Sequence, residues 1–349
     1  MRTKDRGFAL ITAGLSSVAM LAILGLAVDL GRLYIIRNEI QTFADSASLA
    51  AALELDGTAA GIARAQAAVA ANPNKWNLAA SGFSGTQVDF ATSPGGAWEA
   101  NPNPATNYTY ARVRATATAS LYFLPVVSPA TVATVTAKAV AGQVPKPEFR
   151  EGLLPFSPFA HDPNSPNFGF EIGQRYTLRW PANPKLGDNV CPGDDKQQWI
   201  DIAKQGSASD RGYIEENSAS VIRAAIESDY QTRPIALGDQ LEMTGGAMQT
   251  QRDALIARIN QDSDPTSTTY AAYAAAALGN GRRIIAIAIN NGYPEFRVVG
   301  FAAFFLLAPS EYQQGGNKPF CAEFIGPYVQ GGRTGGAAGP GAYVVRLVE

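Results

Sequence analysis

Histidine is almost absent from this chain, with His161 the single one in 349 residues. Imidazole is the commonest general base and a common metal ligand. A lone His161 therefore excludes the HExxH zinc pattern, and neither a G-x-S-x-G elbow nor a paired-carboxylate motif occurs. Charge is also scarce: 17% of residues are charged and the formal net charge is −2, which argues against a nucleic-acid or polyanion binder. Cysteine is limited to Cys191 and Cys321, both in turn-rich surroundings. The acidic loops Asp162/Asn164, Asp188/Asp194/Asp195 and Asp262/Asp264 lack the D-x-[DN]-x-[DN]-G order of a calcium loop. Turn-forming Asx residues explain them, and neither a metal nor another cofactor is expected. Leu278-Gly-Asn-Gly-Arg282 and Gly315-Gly-Asn-Lys318 are too short and unflanked to cradle phosphate, so they read as turns.

A long hydrophobic run is present once. From Gly7 to Val28 there is no charged residue, and 22 residues of helix rise about 33 Å, close to the roughly 30 Å of a bilayer core. Arg2, Lys4 and Arg6 precede it, which predicts a cytoplasmic N-terminus and export of the chain beyond Asp29. A cleaved signal is the rival, with Gly25-Leu26-Ala27 before Val28, but the run exceeds the roughly 7–15 residues of a signal's apolar core. The helical pattern also continues past it. Ile36, Ile40, Phe43, Ala47 and Ala51 form an apolar stripe, with Asn38, Gln41, Asp45 and Ser48 as a polar stripe beside it. One helix is expected to about Leu55, stopped at Asp56-Gly57, with a second from Thr58 to Ala71 closed by Asn72-Pro73. Asp29 and Arg32, at i and i+3, read as an ion pair at the membrane exit that adds little stability.

Arg6-Gly7-Phe8, the apolar helix, Ala27-Val28-Asp29-Leu30-Gly31-Arg32-Leu33-Tyr34, Gln41-Thr-Phe-Ala-Asp45 and Leu49-Ala-Ala-Ala52 together resemble the N-terminal segment of the TadG-like family of Flp (Tad) pilus-assembly proteins. Asp29, Arg32, Gln41 and Asp45 carry the motif. The resemblance covers about the first 55 residues. It implies a bacterial envelope protein held in the inner membrane by one N-terminal helix, with membrane lipid and other pilus-assembly or pilin proteins as partners. Pilin precursors of that system carry a glutamate five residues after the processed glycine, and Thr12 stands at that position after Gly7.

The middle of the chain reads as sheet. Val113, Ala115, Ala117 and Ala119 alternate with Arg112, Arg114, Thr116 and Thr118, and Val135, Ala137, Ala139 and Ala141 alternate with Thr134, Thr136 and Lys138. Two half-buried strands are expected, separated by the proline-bearing Leu121–Pro129. The stripe of Ile36, Ile40, Phe43 and Ala47 can dock on the protein's own sheet or on a neighbouring subunit's helix, and the alanine faces, which let a helix sit close, favour the first. Beyond the prolines of Gln143–Glu148, strands are predicted over 170–180, 235–243, 283–289, 296–307 and 343–348, and helices over 215–230, 249–260 and 270–278. The run Val298–Ala308 lies between Arg297 and Pro309 and is too short to cross a membrane. It and Ile284–Ile289 are near-continuous in apolar residues, as central strands covered on both faces are.

The expected class is α+β: a transmembrane helix extended into a pilin-like helix-on-sheet unit, then a β-rich domain, mostly antiparallel or a partly closed barrel, with three short helices. The expected divisions are 1–29 (cytoplasmic N-terminus and transmembrane helix), 30–143 (extended helix and alanine-lined β unit), 144–150 (proline-rich linker) and 151–349 (exported α+β domain). The terminal strand is expected to close that last domain on itself. Cys191 and Cys321 are expected to form a disulfide, with free structural thiols as one alternative. The other is a membrane-anchored hydrolase or transpeptidase using a cysteine with His161 as base, against a non-enzymatic structural or minor pilin-like role.

Overall fold

The computed structural model describes residues 4–73, 83–126, 128–180, 190–205, 210–214, 218–245, 251–313, 318–337, 339 and 341–348. Arg2, Asp188, Glu215, Gln249, Gly315 and Glu349, on which parts of the expectations rest, lie outside the described residues. The chain is α+β, a long apolar helix leading into curled sheets with several shorter helices.

Helix α1 (Lys4–Leu53) is continuous for 50 residues, about 75 Å at the usual rise. Its first half is apolar and exposed, and among the described residues it is the one helix long and apolar enough to cross a membrane. Two hydroxyls there bond within the helix, Thr12 donating to the Phe8 carbonyl at 3.0 Å and Ser17 to that of Ala13 at 2.8 Å. Lipid offers no partner to such groups, so this back-bonding is what a spanning segment requires. The second half is amphipathic, and Ile36, Ile40, Phe43, Ala47 and Ala51 are buried. After Gly57 turns the chain at φ 79°, Thr58 caps α2 (Ala59–Ala71), its hydroxyl accepting from the Gly61 N–H at 3.0 Å.

Strands β1 (Ser84–Ala91), β2 (Tyr110–Ser120) and β3 (Val132–Pro145) form antiparallel neighbours, with Ala115 opposite Ala137 and Val113 opposite Ala139. The predicted alternation holds along β2, with Ala111, Val113, Ala115, Ala117 and Ala119 buried. α1 lies on these small side chains, alongside β2 and β3. Phe43 is 1% exposed and meets Phe83 edge-on, with ring centroids 5.1 Å apart.

The segment expected as a linker carries the end of β3 and the short strand β4 (Glu148–Phe149). Beyond it come β5 (Arg175–Arg179), α3 (Lys196–Gln205), β6 (Asp210–Ile214), α4 (Ala219–Ser228), β7 (Ile235–Ala236), β8 (Met243–Gly245), α5 (Gln251–Asn260), α6 (Tyr270–Ala276), β9 (Ile284–Asn290), β10 (Val298–Leu306), β11 (Phe320–Gly326), β12 (Tyr328–Val329), β13 (Arg333–Thr334) and β14 (Ala342–Leu347). The second main sheet is antiparallel in the order β5-β11-β10-β9. Both faces of β9 are buried: Ile285, Ile287 and Ile289 join the core with α4 and α5, whereas Ala286 and Ala288 face the core containing Phe149, Phe305 and Tyr328.

Three local expectations change. The strand predicted over 235–243 breaks into β7 and β8, because Gly238 at φ 86° turns the chain and the Asp239 carboxylate accepts from the Ala236 N–H at 2.9 Å. The strand predicted from Phe170 begins only at Arg175, after a turn with Gly173 at φ 85°. A fourth helix, α3, starts where Asp195 accepts from the Gln197 N–H at 2.7 Å and buries Trp199. The terminal strand does not close the second unit on itself. β14 pairs antiparallel with β3 and parallel with β12, giving a six-stranded sheet β1-β2-β3-β14-β12-β13 that stitches the two halves together.

Candidate functional site

α1 leaves its charge-free stretch at Asp29, and here it meets the β2–β3 loop. The Asp29 carboxylate is buried and accepts three backbone N–H groups, from Tyr122 at 3.0 Å, Phe123 at 2.9 Å and Leu124 at 2.7 Å. Charge-assisted bonds to consecutive amides are strong and hold both partners in one geometry. Arg32 donates to the Ser120 carbonyl at 3.1 Å and lies over the Tyr122 ring at 4.2 Å. Asp29 and Arg32 therefore clasp one loop, where an ion pair with each other was expected. Gly25 completes the contact: a Cβ there would stand 2.2 Å from that of Phe123, so only glycine admits the ring this close.

Farther along, Gln41 donates to the Asp45 carboxylate at 2.7 Å and to the Lys138 carbonyl on β3 at 3.1 Å. Part of the expected polar stripe is thus tied to the sheet, and Ser48 is fully buried, its hydroxyl on the Asp45 carbonyl at 2.9 Å. Beside Gln41 opens a groove of about 750 Å³ bordered by Arg37, Gln87, Arg114 and Lys138.

The far end of α1 is held by a residue that sequence reasoning missed. Buried Gln143 donates to the carbonyls of Ala52 at 3.0 Å and Leu55 at 2.7 Å, and accepts from the Gly336 N–H at 2.9 Å. It satisfies orphan carbonyls at the helix terminus and ties them to the C-terminal part of the chain. Arg333 adds an ion pair to Glu54 at 2.5 Å. We expect Gln143→Leu to destabilise the protein by about 1–3 kcal/mol, since it strands a buried N–H and two carbonyls. The thermal melt of the detergent-solubilised chain measures this.

Cys191 and Cys321 are joined in a disulfide across 130 residues. It links the turn before α3 to β11, and the Cys191 N–H donates to the Thr177 hydroxyl at 2.9 Å. Reduction is expected to lower stability by about 2–4 kcal/mol, because the open chain regains the freedom of a long loop. Denaturant midpoints with and without reductant test it. His161 stands nearby, its Nε2 3.1 Å from the Asp194 carboxylate and its ring among Phe159, Phe170 and Tyr176.

The acidic loops satisfy their own backbone. Asp262 accepts from the Tyr273 hydroxyl at 2.8 Å and the Arg283 N–H at 3.1 Å. The Ser267 hydroxyl and the amides of Ser267 and Thr266 hold the Asp264 carboxyl below the usual carboxylate range. Asp162 accepts from the Asn164 N–H at 2.9 Å. Among the described residues no three His, Cys, Asp or Glu side chains gather as a metal site. In the Gly279–Gly281 turn, Gly279 lies against Tyr273 and the Gly281 N–H donates to the Tyr273 hydroxyl at 2.8 Å.

Helix, clasp and sheet together define an α+β protein built on one long N-terminal apolar helix. Residues 7–54 match the family model described as "Putative Flp pilus-assembly TadE/G-like". That match covers α1 from Gly7 to its end and includes Asp29, Arg32, Gln41 and Asp45. No curated protein and no solved structure matches the chain.

Proposed function

We propose that this chain is a single-pass envelope protein of Flp/Tad-type pilus assembly, acting as a structural or minor pilin-like component and not as an enzyme. Residues up to Val28 span the inner membrane with the N-terminus in the cytoplasm, and the rest of the chain is periplasmic or extracellular. The observation that carries this reading is the coincidence of the family match with α1, a helix exposed and apolar over its first half and docked on the sheet over its second. Continuity of the helix past Val28 favours an anchor over a cleaved leader. Partners are membrane lipid and other pilus-assembly or pilin proteins, with no nucleic acid.

The alternative, a hydrolase or transpeptidase using a cysteine and His161, loses support because both sulfurs are consumed in the disulfide. Removal of the chain from its host should reduce the number of Flp-type pili, and the wild-type chain should restore them. Unchanged pili together with loss of an envelope hydrolase or transfer activity would favour the enzyme.

A further inference from the structure

The β2–β3 loop places apolar side chains where the helix leaves its charge-free stretch. Tyr122 is 63% exposed and Phe123 48%; Val132, at the start of β3, and Leu26, Val28 and Leu30 of α1 are exposed as well. Phe123 touches Gly25, four residues before Asp29 and so about 6 Å deeper along the helix axis. Irregular backbone is tolerated at such a depth only if its polar groups are satisfied. The donors from Leu121 to Pro125 meet this: the Leu121 N–H donates to the Thr131 carbonyl at 2.9 Å, those of Tyr122, Phe123 and Leu124 go to Asp29, and Pro125 has none. Asp29 in turn, a carboxylate at the edge of the apolar stretch, has its oxygens hydrogen-bonded by those amides and is buried. Arg32 over Tyr122 sets a cation at the level of the headgroups.

We propose that this loop is a second membrane-contacting element, seated with Tyr122 and Phe123 in the interfacial layer of the leaflet from which α1 emerges. Aromatic side chains favour that layer. With two points in the bilayer, helix and loop, the protein is held against rotation and tilt, which fixes how its sheet is presented to a neighbouring subunit. The inference rests on the anchor reading of α1.

The test uses the full chain in phosphatidylcholine vesicles with Tyr122→Trp, a conservative change at an exposed ring that keeps the stacking with Arg32. Compared with wild type, the added emission should be blue-shifted and lost when the lipids carry bromine on the upper acyl chain. Added emission that is water-like and unaffected by brominated lipid, in protein that stays with the vesicles through an alkaline wash, would overturn the loop's insertion and leave the anchor standing. Protein that leaves the vesicles in that wash would overturn both.

Discussion

Phe43→Asp is expected to unfold the helix-on-sheet unit, with a loss of about 5 kcal/mol or more. Phe43 is 1% exposed, meets Phe83, and lies in a core otherwise made largely of alanine on β2 and β3. Emptying a phenylalanine site in a core costs about 3–5 kcal/mol. The introduced carboxylate adds the cost of burying a charge. Small alanines cannot swing to fill the space or let water in. The melt of the detergent-solubilised chain should therefore fall sharply, or the part of it beyond Asp29 should become sensitive to protease. An unchanged melt would mean that the stripe faces another molecule and not its own sheet.

The second large effect belongs to Asp29. Asp29→Ala removes the one acceptor shared by the amides of Tyr122, Phe123 and Leu124 and leaves all three without a partner. The loop should detach from α1, and hydrogen exchange at these three amides should accelerate by about a hundredfold or more. Asp29→Asn, which keeps one acceptor oxygen, should fall between the two. The strands at the other end of the hairpin, near Gly142, are held by β14 and by Gln143, so their exchange should change little. Equal exchange in wild type and Asp29→Ala would show that the carboxylate does not hold the loop.

Short-range features were legible before any coordinates. The stripe from Ile36 to Ala51 and the alternation from Ala111 to Ala119 are periodicities of the chain itself, and they place the helix on the alanine face. The all-apolar runs of β9 and β10 are likewise readable as doubly covered strands. The features that were not legible depend on partners far apart in sequence. Asp29 meets amides 93 to 95 residues away, so i,i+3 spacing pointed to Arg32 instead. Gln143 touches both Ala52 and Gly336, and β14 returns to β3 across most of the chain, contacts that leave no local signature. The nearest available signals were Gly25 inside an apolar helix and the proline-flanked Leu121-Tyr-Phe-Leu124, both marks of close backbone approach or constrained loops. The break at Gly238 and the capping by Asp195 were readable in principle. They were outweighed by the apolar residues on either side of Gly238 and by the acidic turn around Asp195.

The most direct test of the membrane-anchored reading is a reporter active only outside the cytoplasm, fused after residue 60, just inside α2. The fusion should be active, sediment with membranes, and keep the residues of α1 from Gly7 onward. An inactive fusion, or an active one released as a soluble product that begins near Val28, would contradict a single-pass anchor whose helix runs unbroken from the membrane onto its own sheet.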